Sequence, residues 1–372
     1  MNWNYIQPVE IEFGNGKIKK LKEFIKERGY KNGLLVSSNF LVKNNIATNI
    51  VEDCAGLVLD IFSDIQPNPT VENVDECAKF IKENNIEFIV ALGGGSIIDC
   101  AKASATICLT NDSIAKYHGT GINIPNNHLP LIAIPTTSGT GSEVTCVSVI
   151  TDEKLGKKSP IASNGFYPKL AIIDPELTCT VPPKITASTG IDVLSHALEG
   201  FWSKNHQPIC DALALHACEL VFEYLPKAYE NPNDLIAREK MAEASLIAGL
   251  AFSIPKTTSS HACSFPLTNI YNIPHGEACA ITLDYFTRIN GKYDGDRLNK
   301  FALKLGFKDS FDMADGIYKL KEKIGLLKDL KHLNLSDKEI DELVKASKHP
   351  NLYNNPVEIT EDILLEMYNS LR

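Results

Sequence analysis

The chain has 372 residues, 44% hydrophobic and 22% charged, a composition that suits two globular domains and excludes a disordered or low-complexity polymer. Its 37 basic and 46 acidic side chains leave a net charge of −9, with no Lys/Arg cluster of the kind that grips nucleic acid. No apolar run reaches the roughly 18 residues of a membrane span, and the first residues have neither the basic nor the apolar segment of a secretion signal.

In chain order, β-rich runs alternate with helical stretches. A strand is expected at 33–37, then helix to about residue 53, a strand at 56–62 and a helix over 71–84. The run 86–92 leads directly into Gly93-Gly94-Gly95, and runs at 131–135 and 170–174 complete the set. Continuous apolar strands separated by helices point to a mostly parallel sheet covered on both faces. The segment 147–150, followed by Asp152-Glu-Lys-Leu-Gly156, predicts a local hairpin. After Pro182-Pro183 the pattern changes to helical spacing: Ile191, Leu194, Leu198 and Phe201 form one stripe, Leu213, Ala217, Leu220 and Tyr224 another. The expected organisation is an α/β domain over 1–183 followed by an all-helical domain over 184–372. The ten cysteines include no C-x-x-C pair and lie mostly in apolar runs, as expected of free thiols in a reduced, cytoplasmic protein.

Two loops have the character of a phosphate site. In Leu92-Gly93-Gly94-Gly95-Ser96-Ile-Ile-Asp99 a strand, a glycine turn and a helix follow one another, so a phosphate can approach both the backbone and the helix N-terminus. Ser96 and Asp99 have capping-box spacing, which would fix the start of the helix with Ser96 as its cap; a plain tight turn is the alternative. Pro135-Thr136-Thr137-Ser-Gly-Thr-Gly-Ser-Glu143 carries five hydroxyls after a buried strand, where parallel sheets bind ligands.

The second half holds a candidate metal set. Asp192 and His196 are four apart on one helix face, and His261 and His275 follow downstream. Three imidazoles and a carboxylate suit a borderline divalent ion. The alternative is that Asp192 caps a helix with Thr189 and that the histidines are merely hydrogen-bonded. His118, His128, His206, His216, His332 and His349 have no comparable partners and read as structural.

With these residues in view, the chain resembles the iron-containing alcohol dehydrogenase family. The matching motifs are Pro67-Asn68-Pro-Thr70, Gly93-Gly-Gly-Ser96-x-x-Asp99, the loop Pro135 to Glu143, Asp174-Pro175, Gly190-Ile-Asp192-x-x-x-His196-x-x-Glu199, Asp211-Ala-Leu-Ala214, His261 and Pro274-His275-Gly276. The resemblance implies a Rossmann-like first domain and a helical metal domain, the architecture shared with dehydroquinate synthase. It implies that Asp192, His196, His261 and His275 bind Fe²⁺, with Zn²⁺ as the other candidate. It also implies that NAD(P)H lies on Asn68, Gly94, Gly95, Ser96, Asp99, Thr136, Thr137 and Lys158. The implied activity is hydride transfer between this cofactor and a small aldehyde or primary alcohol, in a homodimer or higher homo-oligomer that binds neither nucleic acid nor membrane.

Two departures from the family pattern are informative. Many relatives carry a second histidine four residues after the third ligand; here that position is Phe265, and a phenyl ring relays no proton. The stretch 256–268 instead resembles the phosphonoacetaldehyde reductase branch, which reduces that aldehyde to 2-hydroxyethylphosphonate; Lys256 is a candidate partner for the anionic group, or else a solvated lysine at a helix start. After the first strand, where many relatives have Asp, this chain has Ser38, an expected helix N-cap that leaves a 2′-phosphate unrepelled. The competing readings are a sugar-phosphate cyclase of the dehydroquinate-synthase kind, another short-chain alcohol or diol dehydrogenase of the same family, and a non-catalytic nucleotide-binding protein.

Overall fold

The computed structural model describes residues 2–293 and 295–372. The chain divides into two compact units, one of Ile6–Thr137 with Gly141–Thr178, the other of Cys179–Arg372 together with Ser138–Thr140 and the described residues before Ile6.

The first unit is an α/β layer structure. Its elements are β1 (Glu10–Phe13), α1 (Leu21–Glu27), β2 (Gly33–Val36), α2 (Asn39–Lys43), α3 (Ile46–Asp53), β3 (Val58–Phe62), α4 (Val71–Glu83), β4 (Phe88–Gly93), α5 (Gly95–Ile107), β5 (Leu131–Pro135), β6 (Val147–Asp152), β7 (Lys157–Ala162) and β8 (Leu170–Ile173). Six strands form one parallel sheet in the order β1-β8-β5-β4-β2-β3. Every residue of the central strands β2, β4, β5 and β8 is buried, which is why they read as continuous apolar runs. Residues of β4 alternate between two cores: Ile89 and Ala91 join the cluster that includes Val74 and Ile98 of α4 and α5, whereas Phe88, Val90 and Leu92 join that of Leu21 and Ile25 of α1. β1 extends the set expected from the sequence. Its Glu10-Ile-Glu-Phe13 alternates charge with apolar side chains because it is an edge strand, paired only with β8. The expected hairpin is present as β6 and β7, antiparallel from Val147↔Ala162 to Asp152↔Lys157.

β2 connects outward to β3 on one side, and β4 outward to β5 on the other. The boundary between β2 and β4 is therefore the switch point of the sheet, where parallel folds bind ligands at the strands' carboxyl ends. The Ser38 turn and the glycine turn lie at those ends.

The second unit is helical, as its spacing predicts: α6 (Pro183–Trp202), α7 (Pro208–Glu230), α8 (Leu235–Phe252), α9 (Ser259–Tyr271), α10 (His275–Tyr293), α11 (Gly295–Lys304), α12 (Ser310–Lys323), α13 (Asp337–Ala346) and α14 (Glu361–Leu371). Pro183 and Pro208 open α6 and α7 in the first turn, where a missing N–H costs nothing. One apolar cluster, with Leu194 and Leu198 of α6 and Ile281 and Phe286 of α10, forms the core. Among the described residues no helix is long and apolar enough to cross a membrane.

Candidate metal centre and nucleotide site

α6 runs unbroken through Thr189, whose hydroxyl donates to the Ile185 carbonyl at 3.0 Å. Capping of a helix by Thr189 with Asp192 is thereby excluded, because both residues are interior to α6. Asp192, His196 and Glu199 instead follow at intervals of four and three on one face, all buried. α9 brings His261 opposite them, and α10 begins at His275 directly after Pro274. The approach of α10 to α6 depends on Gly276: a Cβ there would lie 1.9 Å from the Ser188 carbonyl oxygen and 2.8 Å from Cβ of Asp192.

The donor atoms of Asp192, His261, His275 and Cys279 all lie within 4.8 Å of one another. Nε2 of His261 is 3.6 Å from Oδ1 of Asp192 and makes no hydrogen bond of ordinary geometry. That spacing is near the roughly 3.4 Å between two ligands of one ion at about 2.1 Å in tetrahedral geometry. His196 stands beside the group, 3.9 Å from Oδ2 of Asp192 through its Nδ1, an atom with no hydrogen-bond partner among the described residues. Its ring stacks on Phe252 of α8 at 4.2 Å and lies 4.7 Å from the His261 ring. Buried imidazole nitrogens held short of hydrogen bonds, converging on a carboxylate, are a donor set that fits a divalent ion.

Glu199 sets the orientation of His261. Its fully buried carboxylate accepts from Nδ1 of His261 at 2.5 Å and from the backbone N–H groups of Thr258, Ser260 and His261 at 3.0, 2.5 and 3.2 Å. With Nδ1 donating to the carboxylate, Nε2 is the nitrogen turned toward Asp192. Burial pushes the Glu199 carboxyl up, but His261 and the N–H donors outweigh it and hold its pKa below the ordinary 4.5. Burial works against the His261 imidazolium, yet Cys279 and Glu199 raise its pKa well above 6.5. Burial, then the neighbouring His261, keep that of His196 well below 6.5.

Glu199 and Cys279 stand out here although spacing alone marked neither as a site residue. A signal existed for both: Glu199 continues the Asp192–His196 stripe, and Cys279 is one turn from His275. Phe265, one turn after His261, lies over the His275 ring at 6.2 Å and against His349 at 4.7 Å. His349 thus borders the site, through a segment far away in sequence. His206 pairs with Asp211, and His216 lies between Glu219 and Glu243. Lys256 is not at a helix start. It follows α8 with a left-handed backbone (φ 67°), is half-buried, and donates from Nζ to the Ser253 carbonyl at 2.7 Å.

In the first unit, the capping box at Ser96 and Asp99 does not form. α5 starts two residues earlier than that box requires, at Gly95, with Gly94 as a cap that has no side chain to offer. The Ser96 hydroxyl instead accepts from the Asn68 N–H at 3.1 Å. Asp99 accepts from the Ser142 hydroxyl at 2.6 Å and the Val149 N–H at 2.9 Å. The turn is packed so closely that a Cβ on Gly93 would sit 2.5 Å from Ile97, and one on Gly94 3.3 Å from the Thr137 hydroxyl. A helix N-terminus without a side-chain cap, beside two threonines, is a cradle for a phosphate. Beneath it, Lys102 is fully enclosed, donating to Ser142, Thr145 and the Val147 carbonyl; burial lowers its pKa to about 8 and raises that of Asp99. Lys158 reaches the Asn68 side chain at 2.8 Å. Thr136 and Thr137 follow β5, and the Ser38 hydroxyl accepts from the Leu41 N–H at 3.3 Å as the cap of α2.

Residues 8–175 match the family described as iron-containing alcohol dehydrogenase, and residues 186–371 match the C-terminal part of the Fe-containing alcohol dehydrogenase family. The chain belongs to the iron-containing alcohol dehydrogenase family. It is an oxidoreductase of that family, and its parallel sheet followed by helices is the family's architecture. Among solved structures, sulfoacetaldehyde reductase from Bifidobacterium kashiwanohense, in complex with NAD⁺, is 59% identical with a TM-score of 0.98, over 100% of this chain and 99% of that one. Alcohol dehydrogenase 4 of Schizosaccharomyces pombe is 34% identical over 365 residues, 96% of this chain and 86% of that protein. Lactaldehyde reductase of Escherichia coli K12 is 31% identical over 371 residues, 96% of each chain.

Proposed function

We propose that this enzyme is an NAD(P)H-dependent reductase of a short aldehyde carrying a sulfonate or phosphonate group. The observation that carries the proposal is the 59% identity, over the whole chain, to a sulfoacetaldehyde reductase crystallised with NAD⁺. Phosphonoacetaldehyde, expected from the stretch 256–268, has the same two-carbon aldehyde joined to a tetrahedral anion. The family assignment favours this reading over the cyclase alternative. The ten free cysteines suit a reducing compartment, the cytoplasm.

In this reading Asp192, His196, His261 and His275 hold Fe²⁺ or Zn²⁺. When bound, the ion supplies Lewis-acid polarisation of the aldehyde oxygen and the nicotinamide supplies hydride. The chain's own residues do the rest. Glu199 holds His261 with Nε2 presented, and Phe265 walls the His275 side with apolar surface, so the proton comes from water, a cofactor hydroxyl or another side chain. The start of α5 receives the pyrophosphate, with Asn68, Ser96, Thr136, Thr137 and Lys158 around it; Asp99 braces the turn from behind. Ser38, at the switch point, faces the adenosine ribose. Lys256 is the cation for the sulfonate or phosphonate.

The test is NAD(P)H oxidation by the Fe²⁺-loaded enzyme against sulfoacetaldehyde, phosphonoacetaldehyde, acetaldehyde and lactaldehyde. The expected result is that kcat/KM for one of the anionic aldehydes exceeds that for acetaldehyde by more than tenfold, about 1.4 kcal/mol. Lys256→Met is expected to erase that advantage without changing acetaldehyde reduction. Equal specificity for charged and uncharged aldehydes refutes the proposal.

A further inference from the structure

Lys102 is a cation enclosed in the first unit, with 1% of its surface exposed. A lysine reaches such depth only where a partner charge or a full set of acceptors holds it. Its Nζ donates to the Ser142 hydroxyl at 2.9 Å, the Thr145 hydroxyl at 3.3 Å and the Val147 carbonyl at 2.9 Å, the full capacity of an ammonium. Ser142 in turn donates to Oδ1 of Asp99, and the Val149 N–H donates to Oδ2. Both oxygens accept, as those of an ionised carboxylate do. One hydroxyl therefore links the buried cation to an anion three residues earlier on α5.

The place of that anion gives the link its consequence. Asp99 is the fifth residue of α5, whose first residues form the phosphate cradle. A carboxylate there takes up the partial positive charge of the helix N-terminus and repels an incoming phosphate. We propose that Lys102 is a positioning residue for the cofactor: acting through Ser142, it offsets the charge of Asp99, so that Asp99 braces the glycine turn without repelling the pyrophosphate. This rests on the proposed cofactor site. The other titratable groups facing the pair are Glu143 and Cys146, from the loop after β5, and Lys158 of β7. Of the two cations, Lys102 acts on Asp99 more strongly than Lys158 does. Burial raises the pKa of Glu143, which works against a second negative charge beside Lys102. Burial also lowers the pKa of Lys102 to about 8, so the offset is complete below that pH and is lost above it.

The experiment follows NADH binding to the full-length enzyme by fluorescence, with no aldehyde present, so it stands apart from the choice of substrate. Lys102→Met keeps the length of the side chain without its charge and is expected to weaken NADH binding about tenfold or more at neutral pH. Adding Asp99→Asn removes the uncompensated anion, and the double variant is expected to recover most of the loss. A lysine that only fills space predicts the reverse, a further loss in the double variant. The wild type gives a test that needs no variant: its affinity for NADH is expected to fall as pH rises above about 8. A single variant within about twofold of wild type, a double variant weaker than the single, or a wild-type affinity that stays level to about pH 9.5 overturns the proposal. Absence of any NADH binding by the wild type overturns the cofactor site with it.

Discussion

Replacing Glu199 by Gln preserves the shape of the side chain and removes the charge that organises His261. The carboxylate is fully buried and takes four N–H donors, three from the backbone of Thr258, Ser260 and His261 and one from the imidazole. A glutamine turns an NH₂ toward part of that donor set and leaves donors unpaired. Removing one partner of a buried pair costs about 3–5 kcal/mol, which is the expected loss of unfolding free energy in the metal-free protein. Freed from its carboxylate, the His261 ring is no longer held with Nε2 toward Asp192, and loss of such an orienting partner weakens metal binding about 10–100-fold. Urea denaturation of the apoproteins measures the first effect and calorimetric titration with Zn²⁺ the second. The pH dependence gives a further check. Because the folded pKa of Glu199 is depressed, its stabilisation is present above the ordinary 4.5 and is lost as pH falls through the folded value; the Gln variant lacks this loss on the acid side. The raised pKa of His261 contributes stability below 6.5 that is lost as pH rises through its folded value. A Gln variant within about 1 kcal/mol of wild type, with unchanged zinc affinity, refutes the reasoning.

Ser38→Asp is expected to shift cofactor preference toward NADH, since a carboxylate close to a 2′-phosphate costs about 1–4 kcal/mol depending on solvation; an unchanged ratio of kcat/KM for NADPH and NADH leaves Ser38 as a helix cap only. Gly276→Ala forces α10 away from α6, because the new Cβ meets the Ser188 carbonyl at 1.9 Å; about 1–3 kcal/mol of stability and tight metal binding are expected to be lost together, as read by thermal melts and metal analysis. Metal affinity is expected to rise with pH across the neutral range, because the raised pKa of His261 means that an ion must displace its proton to reach Nε2; a flat profile in competition titrations contradicts this.

The two-part organisation was legible from the residues because it rests on local periodicity. Central strands such as β4 are apolar at every position because both faces are covered, and α6 shows its buried stripe because one face packs on the core. Asp192 and His196 were legible as a pair for the same reason: four residues along a helix is a spatial neighbour whatever else the chain does. Strand β1 was not, since four residues with alternating glutamates look like a strand only once β8 is there to pair with them.

Capping was where local spacing misled. Ser96 with Asp99, and Thr189 with Asp192, have the separation of a capping box, but a cap exists only where a helix begins. The beginning of α5 is set by Gly93 and Gly94 packing against Ile97 and Thr137, and α6 begins at Pro183, well before Thr189. Sequence by itself determined the family motifs, the residues with metal-binding chemistry and the helices that display them. Only the tertiary structure decided that α9 and α10 close on α6, so that Glu199 grips His261 and the sulfur of Cys279 joins the donors. Those contacts join residues far apart in the chain or on different helices, and they depend on Gly276 letting two backbones meet, which no local pattern encodes.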